Sequence, residues 1–213
     1  MNKEQVKKAL EELKSQPKKK FTQSYDLIIN LKNLDMKQVN IDFFSTLHFP
    51  KGKNIKIAAF ADQLLKEQAD QHCDFVIEEK DFGNYKDKKA VKKLADSYDY
   101  FIAQANLMPK VAANFGKILG IKGKMPNPKL GCVVPPNANL EALVKKLRLT
   151  VRMSAKKALN FQCIIGKEDQ PEEQVIDNII TAYSSAVKQL PNELQNVKNV
   201  TLKLTMSKPV RIL

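Results

Sequence analysis

The residues from Gly116 to Gly131 hold four of the chain's seven glycines, together with Lys117, Lys122, Lys124 and Lys129, two prolines and no acid. Glycine permits positive φ and close backbone approach, whereas proline fixes φ and forbids helix. The segment therefore predicts a shaped, cationic loop. The chemistry open to such a loop is to cradle a phosphate in its backbone amides. The known phosphate motifs do not fit it. Glycines at 116, 120 and 123 miss the G-x-G-x-x-G spacing. Gly123-Lys124 is followed by Met125 and has no glycine five places upstream, which excludes a P-loop. A solvated basic loop and a phosphate-binding loop both stay open on these residues.

Residues for covalent chemistry are sparse. His48 and His72 are the only histidines. A nucleophilic site needs Cys or Ser near a histidine that a third group orients. His72 and Cys73 are neighbours at a predicted helix end, and sequence neighbours rarely form such a pair. There is no C-x-x-C, H-E-x-x-H or D-x-D-x-D run to ligate a metal. Glu78, Glu79 and Asp81 read as a solvated acidic turn. The sequence predicts no enzyme, no metal and no cofactor.

The charge balance points elsewhere. With 36 Lys+Arg against 23 Asp+Glu, the chain carries +13 over 213 residues. Such an excess calls for an anionic partner, and nucleic acid is the commonest. The length suits one large or two small domains. No apolar run reaches transmembrane length and no signal-peptide pattern is present, so no membrane partner is expected. Cys73, Cys132 and Cys163 are far apart and unpaired by spacing, which predicts a reducing compartment.

The elements that must position these residues follow from hydrophobic periodicity. Residues 1–16 predict a helix on the stripe Val6, Ala9, Leu10 and Leu13, ended by Pro17 and followed by Lys18, Lys19 and Lys20. Residues 21–31 predict a strand, with Phe21, Gln23, Tyr25, Leu27 and Ile29 on one face and Thr22, Ser24, Asp26, Ile28 and Asn30 on the other. A polar sheet face beside lysines is a plausible RNA platform. A loop over 31–39 and a strand over 40–49 precede a break at Pro50-Lys51-Gly52-Lys53. Strands over 54–60, 75–77 and 100–103 alternate with helices over 62–71 (Leu64, Leu65 and Ala69 inward), 86–95 and 109–119. This alternation predicts a parallel, helix-covered sheet closed by a helix over 140–147. Strands over 149–155 and 158–165, the latter ending in Gly166-Lys167, lead to a helix over 172–189. Its inner stripe is Val175, Ile176, Ile179, Ile180, Tyr183 and Val187. A last strand spans 197–206.

Two stretches carry a family resemblance. Leu119 to Gly131, with Met125-Pro126-Asn127-Pro128-Lys129 in its glycine frame, resembles the LGPRGLMPNPKLG-type segment of the ribosomal protein L-one family. Ile121 stands where many members have proline, and Lys124 where many have an apolar residue. Near the end, Thr205-Met206-Ser207-Lys208-Pro209 resembles the [ST]-T-M-G-[KP] tail, in the archaeal and eukaryotic form. Ser207 replaces the family's usual glycine, which lets backbone approach RNA without a Cβ. Phe21, Ser24 and Asp26 match the family's Phe-Thr-x-[ST]-x-[DE] pattern.

The resemblance covers essentially the whole chain and implies two domains. Residues 1–53 and 149–213 would form a discontinuous α+β, split β-α-β unit that binds rRNA. Residues 54–148 would be an inserted three-layer α/β unit, Rossmann-like in layout only. It implies a structural constituent of the large ribosomal subunit that forms the mobile stalk. That stalk accompanies release of deacylated tRNA from the exit site. It further implies translational repression through the protein's own mRNA, a cytoplasmic, ribosomal location and a monomer when free. The implied RNA-binding residues are Lys20, Phe21, Ser24, Asp26, Gly166, Lys167, Thr205, Met206, Ser207 and Lys208. The loop residues Gly120, Gly123, Met125, Pro126, Asn127, Pro128, Lys129 and Gly131 would be the family motif of the second domain. The alternative is a nucleotide- or small-molecule-binding α/β module that uses the Gly116–Gly131 loop.

Overall fold

The computed structural model describes residues 1–17, 19–35, 41–85, 87–155 and 158–213. Lys18, residues 36–40, Lys86, residues 156–157 and the side chain of Leu64 lie outside the described set. So do the expectations placed on them: the first lysine of 18–20, the ends of the 31–39 loop and the 40–49 strand, the start of the 86–95 helix, part of the 158–165 strand's approach, and the inward Leu64. In chain order the elements begin with α1 (Lys3–Lys14), β1 (Ser24–Leu31) and β2 (Ile41–Thr46). Then come β3 (Ile57–Ala61), α2 (Gln63–His72), β4 (Phe75–Glu78), α3 (Lys88–Ser97), β5 (Tyr100–Gln104), α4 (Met108–Ile121), β6 (Val133–Val134) and α5 (Leu140–Leu149). The chain ends with β7 (Thr150–Ala155), β8 (Asn160–Lys167), α6 (Glu172–Gln189), β9 (Val197–Leu204) and β10 (Val210–Arg211). They divide into two compact units, residues 1–53 with 149–213, and residues 54–148.

In the first unit an antiparallel sheet runs β10-β9-β1-β8, and β2 pairs antiparallel with β7. Alternation along β1 buries Tyr25, Leu27, Ile29 and Leu31 and leaves Ser24, Asp26, Ile28 and Asn30 half-exposed. The buried row joins the α1 stripe Val6, Ala9, Leu10 and Leu13 and the α6 stripe Val175, Ile179, Ala182, Tyr183 and Ala186 in one core. Each such side chain removed from water stabilises the unit by about 1.5–3 kcal/mol where it is fully buried and large. The α6 stripe differs from the predicted one. Ile176, Ile180 and Val187 are half-buried, and Asn178 is fully buried instead. Asn178 Oδ1 accepts the Phe49 N–H at 3.0 Å, while its Nδ2 donates to the Phe49 and Ile165 carbonyls at 3.1 and 3.0 Å. A polar side chain can sit there because its donors and acceptor are paired.

Two strand ends also differ from expectation. β1 starts at Ser24, so Phe21 and Thr22 lie before it and are exposed. β9 stops at Leu204, because the Ser207 N–H turns back to donate to the Leu204 carbonyl at 3.1 Å.

The second unit is a parallel sheet in the order β4-β3-β5-β6. Phe60 centres its core, with ring centroids 4.9 Å from Phe115 and 5.8 Å from both Phe82 and Phe101. Phe75 is exposed rather than buried, since β4 is the edge strand; its ring stacks on Tyr98 at 5.6 Å. Helix α4 continues to Ile121, so Gly116 and Gly120 are helical, and only Gly123 and Gly131 of the four glycines have positive φ.

Candidate nucleic-acid interface

Strand register assembles most of the predicted residues at one end of the first unit's sheet. Ser24 pairs with Lys167, and Tyr25 lies between Gly166 of β8 and Leu204 of β9. The turn after Leu204 therefore begins beside Ser24. Thr205 Oγ1 accepts the Ser24 N–H at 3.1 Å and faces the Ser24 carbonyl at 3.5 Å. A side chain thus continues the ladder where backbone pairing stops.

The turn itself is braced by residues the sequence did not single out. Gln23 is buried, and its Oε1 accepts the Met206 N–H at 3.0 Å. Gln16, just past α1, grips Lys208 from both sides: its Oε1 accepts the Lys208 N–H at 3.0 Å, and its Nε2 donates to the Lys208 carbonyl at 3.3 Å. Ser207 Oγ accepts the Leu204 N–H at 2.7 Å and lies 3.2 Å from the Leu204 and Lys208 carbonyls. The backbone at Ser207 has no positive φ, so it does not require glycine. Serine here is a hydrogen-bonding member of the turn. These braces leave Met206 67% exposed, with Thr205 and Lys208 exposed beside it. Phe21, 49% exposed, and Lys20 precede the same strand.

On the other side, Gly166 and Lys167 are fixed by local packing. Gly166 is buried, and a Cβ on it would stand 2.7 Å from Gln170 Oε1. That oxygen accepts the Lys167 N–H at 3.0 Å, and Gln170 Nε2 donates to the Pro50 carbonyl at 2.8 Å. The Lys167 stem lies against Gly52, where a Cβ would meet its Cγ at 2.7 Å. The Lys167 stem is thereby packed on Gly52, while its backbone N–H is held by Gln170. Gly166 acts as a packing residue and offers no side chain to a ligand.

Asp26 sits two residues further along the same face, paired with Ile164 and Lys203. Burial pushes its carboxyl above the ordinary value, and the Lys203 charge partly opposes this. The Tyr25 hydroxyl, on the inner face, is pushed up to about 12 by burial and then by Glu168 and Glu172. Lys203 was not singled out from the sequence, although its even spacing from Thr205 puts it on that strand face.

The glycine loop of the second unit is internally bonded. The N–H groups of Lys122, Gly123 and Lys124 donate to Ile118, Gly120 and Leu119, and those of Leu130, Gly131 and Cys132 to Asn127, Pro128 and Asn127. Asn127 Oδ1 accepts the Lys129 N–H at 2.9 Å. Lys124 Nζ donates to the Ala95 and Tyr98 carbonyls at 2.7 Å each, closing the C-terminus of α3, and Lys122 pairs with Asp96. Pro126 is buried and Met125 packs on the Phe60 core, while Gly120, Gly123, Pro128, Lys129 and Gly131 are exposed. The Met-Pro-Asn-Pro-Lys motif is thus a structural turn.

Nucleophilic chemistry finds no support in the thiols. Burial pushes Cys73 and Cys132 up to about 11 and Cys163 to about 12, so all three stay protonated at neutral pH. Among the described residues no group of His, Cys, Asp and Glu could hold a metal, and no helix is long and apolar enough to cross a membrane.

Comparison with known proteins matches residues 12–208 to the model of the Ribosomal protein L1p/L10e family. The chain is 42% identical to the large ribosomal subunit protein uL1 of Nanoarchaeum equitans, over 99% of this chain and 98% of that one. It is 38% identical to the protein of the same name from Methanothermococcus thermolithotrophicus, over 100% and 99%. To that of Thermoplasma acidophilum it is 33% identical, over 100% and 97%. With a family match over most of its length and full-length archaeal relatives above 30% identity, the chain belongs to the Ribosomal protein L1p/L10e family.

Proposed function

We propose that this protein is a structural constituent of the large ribosomal subunit that grips a folded element of large-subunit rRNA with the sheet end of residues 1–53 and 149–213. The observation that carries this is the braced turn: Thr205, Met206 and Lys208 are exposed on a backbone held by Ser24, Gln23 and Gln16. Folded RNA is read largely by shape, backbone and 2′-hydroxyls, which favours short, rigid groups over long flexible ones. Lys20, Lys167 and Lys208 around the turn would neutralise phosphates. Its relatives' name as large-subunit proteins supports the same assignment. On this reading the protein works in the cytoplasm as part of the ribosome and is a monomer when free. It forms the mobile stalk that accompanies release of deacylated tRNA, and it represses its own mRNA by binding a similar structure there.

The nucleotide-module alternative is disfavoured by two observations. The loop's amides already donate within the loop. In parallel α/β sheets a ligand binds at the carboxyl ends of strands where the order reverses. Here that edge carries Asp62, which caps α2 with its own side chain, and the acids Glu78 and Glu79 line the neighbouring cleft. Glu78 and Glu79 hold Lys66 and Lys110 in ion pairs there, so these two lysines are engaged rather than offered to a phosphate. Retention on structured rRNA that weakens steeply with salt, with no thermal stabilisation by mononucleotides, is the expected result. Stabilisation by a mononucleotide, without specific rRNA retention, would overturn the assignment.

A further inference from the structure

The segment 49–52, which follows β2, is fastened to β8, α6 and the connection between them at three places. Asn178 of α6 holds Phe49 by both its N–H and its carbonyl. Gln170 Nε2 donates to the Pro50 carbonyl at 2.8 Å. Gly52 lies so close to Lys167 that a Cβ on it would stand 2.7 Å from the lysine Cγ, 2.9 Å from its Cδ and 3.1 Å from its Cβ. Gly52 also has a φ of +72°, so both its conformation and its missing side chain permit this contact.

The two lysines beside this fastening differ in use. Lys51 is buried, and its Nζ donates to the Thr150 carbonyl at 2.6 Å, which makes it a structural cation. Lys167 is half-buried, and among the described residues its ammonium has no hydrogen-bond or ion-pair partner. Its backbone is nevertheless fixed twice by one residue. Gln170 Oε1 accepts the Lys167 N–H at 3.0 Å, and the Gln170 N–H donates to the Lys167 carbonyl at 3.2 Å. Its stem is fixed from Cβ to Cδ by Gly52. A lysine side chain ordinarily loses much rotamer freedom when it is immobilised on a ligand. Here the fold has ordered the stem in advance and left only the charged end free, which is the arrangement that preorganised binding requires.

We propose that Gln170 and Gly52 are positioning residues for RNA binding, which act by holding Lys167 so that its ammonium meets an RNA phosphate from one fixed place. Gln170 works from the backbone side and Gly52 from the stem side. The bond from Gln170 to Pro50 joins the two into one clamp. Neither residue touches the RNA. The inference rests on the rRNA assignment above, with Lys167 as one of its cations.

The test is a double-mutant cycle, read by filter binding of the full-length protein to a transcribed fragment of its own large-subunit rRNA across a salt series. Lys167→Ala should weaken binding and lower the salt slope by about one phosphate contact. Gln170→Ala should weaken binding on the order of fivefold with the slope unchanged, because the lysine still reaches its phosphate but must first be ordered. In the Lys167→Ala background the same replacement should change nothing, since the side chain it positions is gone. Gly52→Ala, which pushes the stem away, should show the same dependence on Lys167. Gln170→Met keeps the volume without either side-chain bond and takes the place of the alanine variant if that does not fold. If the Gln170 replacement costs the same factor with and without Lys167, or costs nothing, Gln170 serves the fold alone and the proposal fails. A Lys167→Ala protein that binds as wild type does also overturns it. In those cases specific binding by the wild type leaves the parent assignment standing, whereas wild-type binding no tighter than to unrelated RNA overturns both.

Discussion

Thr205 Oγ1 accepts the backbone N–H of Ser24 at 3.1 Å, across 181 residues of chain. One hydroxyl therefore ties the end of β9's tail to the start of β1 and fixes both exposed neighbours, Met206 and the 20–22 segment. Thr205→Ala should lower the unit's stability by about 1 kcal/mol and weaken specific rRNA binding by about 1–2 kcal/mol, without changing the salt slope. Thr205→Ser should restore most of both. Denaturant melts and filter binding across a salt series measure the two effects separately.

Lys208 has its backbone held by Gln16 and its side chain exposed. Lys208→Ala should weaken specific and nonspecific RNA alike and reduce the salt slope by about one phosphate contact. A drop confined to specific RNA would instead assign Lys208 to base recognition.

Ser207→Gly restores the residue usual in the family but removes a hydroxyl that accepts the Leu204 N–H at 2.7 Å. It should destabilise the turn by about 1 kcal/mol, from the lost bond and the added backbone freedom. Thermal melting of the variant decides this, since an unchanged or raised midpoint would mean that the hydroxyl contributes nothing.

Asp26 yields a pH-dependent prediction. Its carboxyl is raised above the ordinary value of 3.8 in the folded protein, first by burial. A raised acid contributes most to folding below its unfolded value, and that contribution is lost as pH rises through the folded one. Asp26→Asn should therefore be more stable than wild type at neutral pH, with the difference shrinking as pH falls through the raised folded value and gone below the ordinary carboxylate value. If Asp26 also accepts a hydrogen bond from RNA, the same variant loses specific binding while gaining stability. Melting midpoints from pH 3 to 7, on the order of the carboxylate range, together with binding at pH 7, test both halves.

Lys124 donates to the Ala95 and Tyr98 carbonyls at 2.7 Å each. Lys124→Met should destabilise residues 54–148 by about 1–2 kcal/mol and leave rRNA affinity unchanged, since these two bonds lie inside that unit. Weaker RNA binding by a folded Lys124→Met would move the loop back into the interface.

Much of the fold was legible because period and punctuation agreed. The helix predicted over 172–189 has those bounds, and the α1 stripe Val6, Ala9, Leu10 and Leu13 is the buried one. The site was legible only where a motif marked it. Gln16 and Gln23 gave no signal, because amide side chains follow no period and their partners lie 192 and 183 residues away. Asn178 was hidden for the same reason: it interrupts an apolar stripe, and its partners Phe49 and Ile165 come from other elements. Lys122 and Lys124 misled in the opposite direction. A basic run reads as solvated or phosphate-binding, yet one pairs with Asp96 and the other closes a helix end.

The central claim is that the sheet end around Ser24, Lys167 and the 205–208 turn touches the RNA. Ultraviolet cross-linking of the full-length protein to its own large-subunit rRNA, with the attached peptides identified by mass spectrometry, tests this most directly. The account predicts cross-links within residues 20–26 and 205–208, centred on the exposed Phe21 and Met206. Cross-links confined to residues 116–131, with none in those two segments, would contradict it.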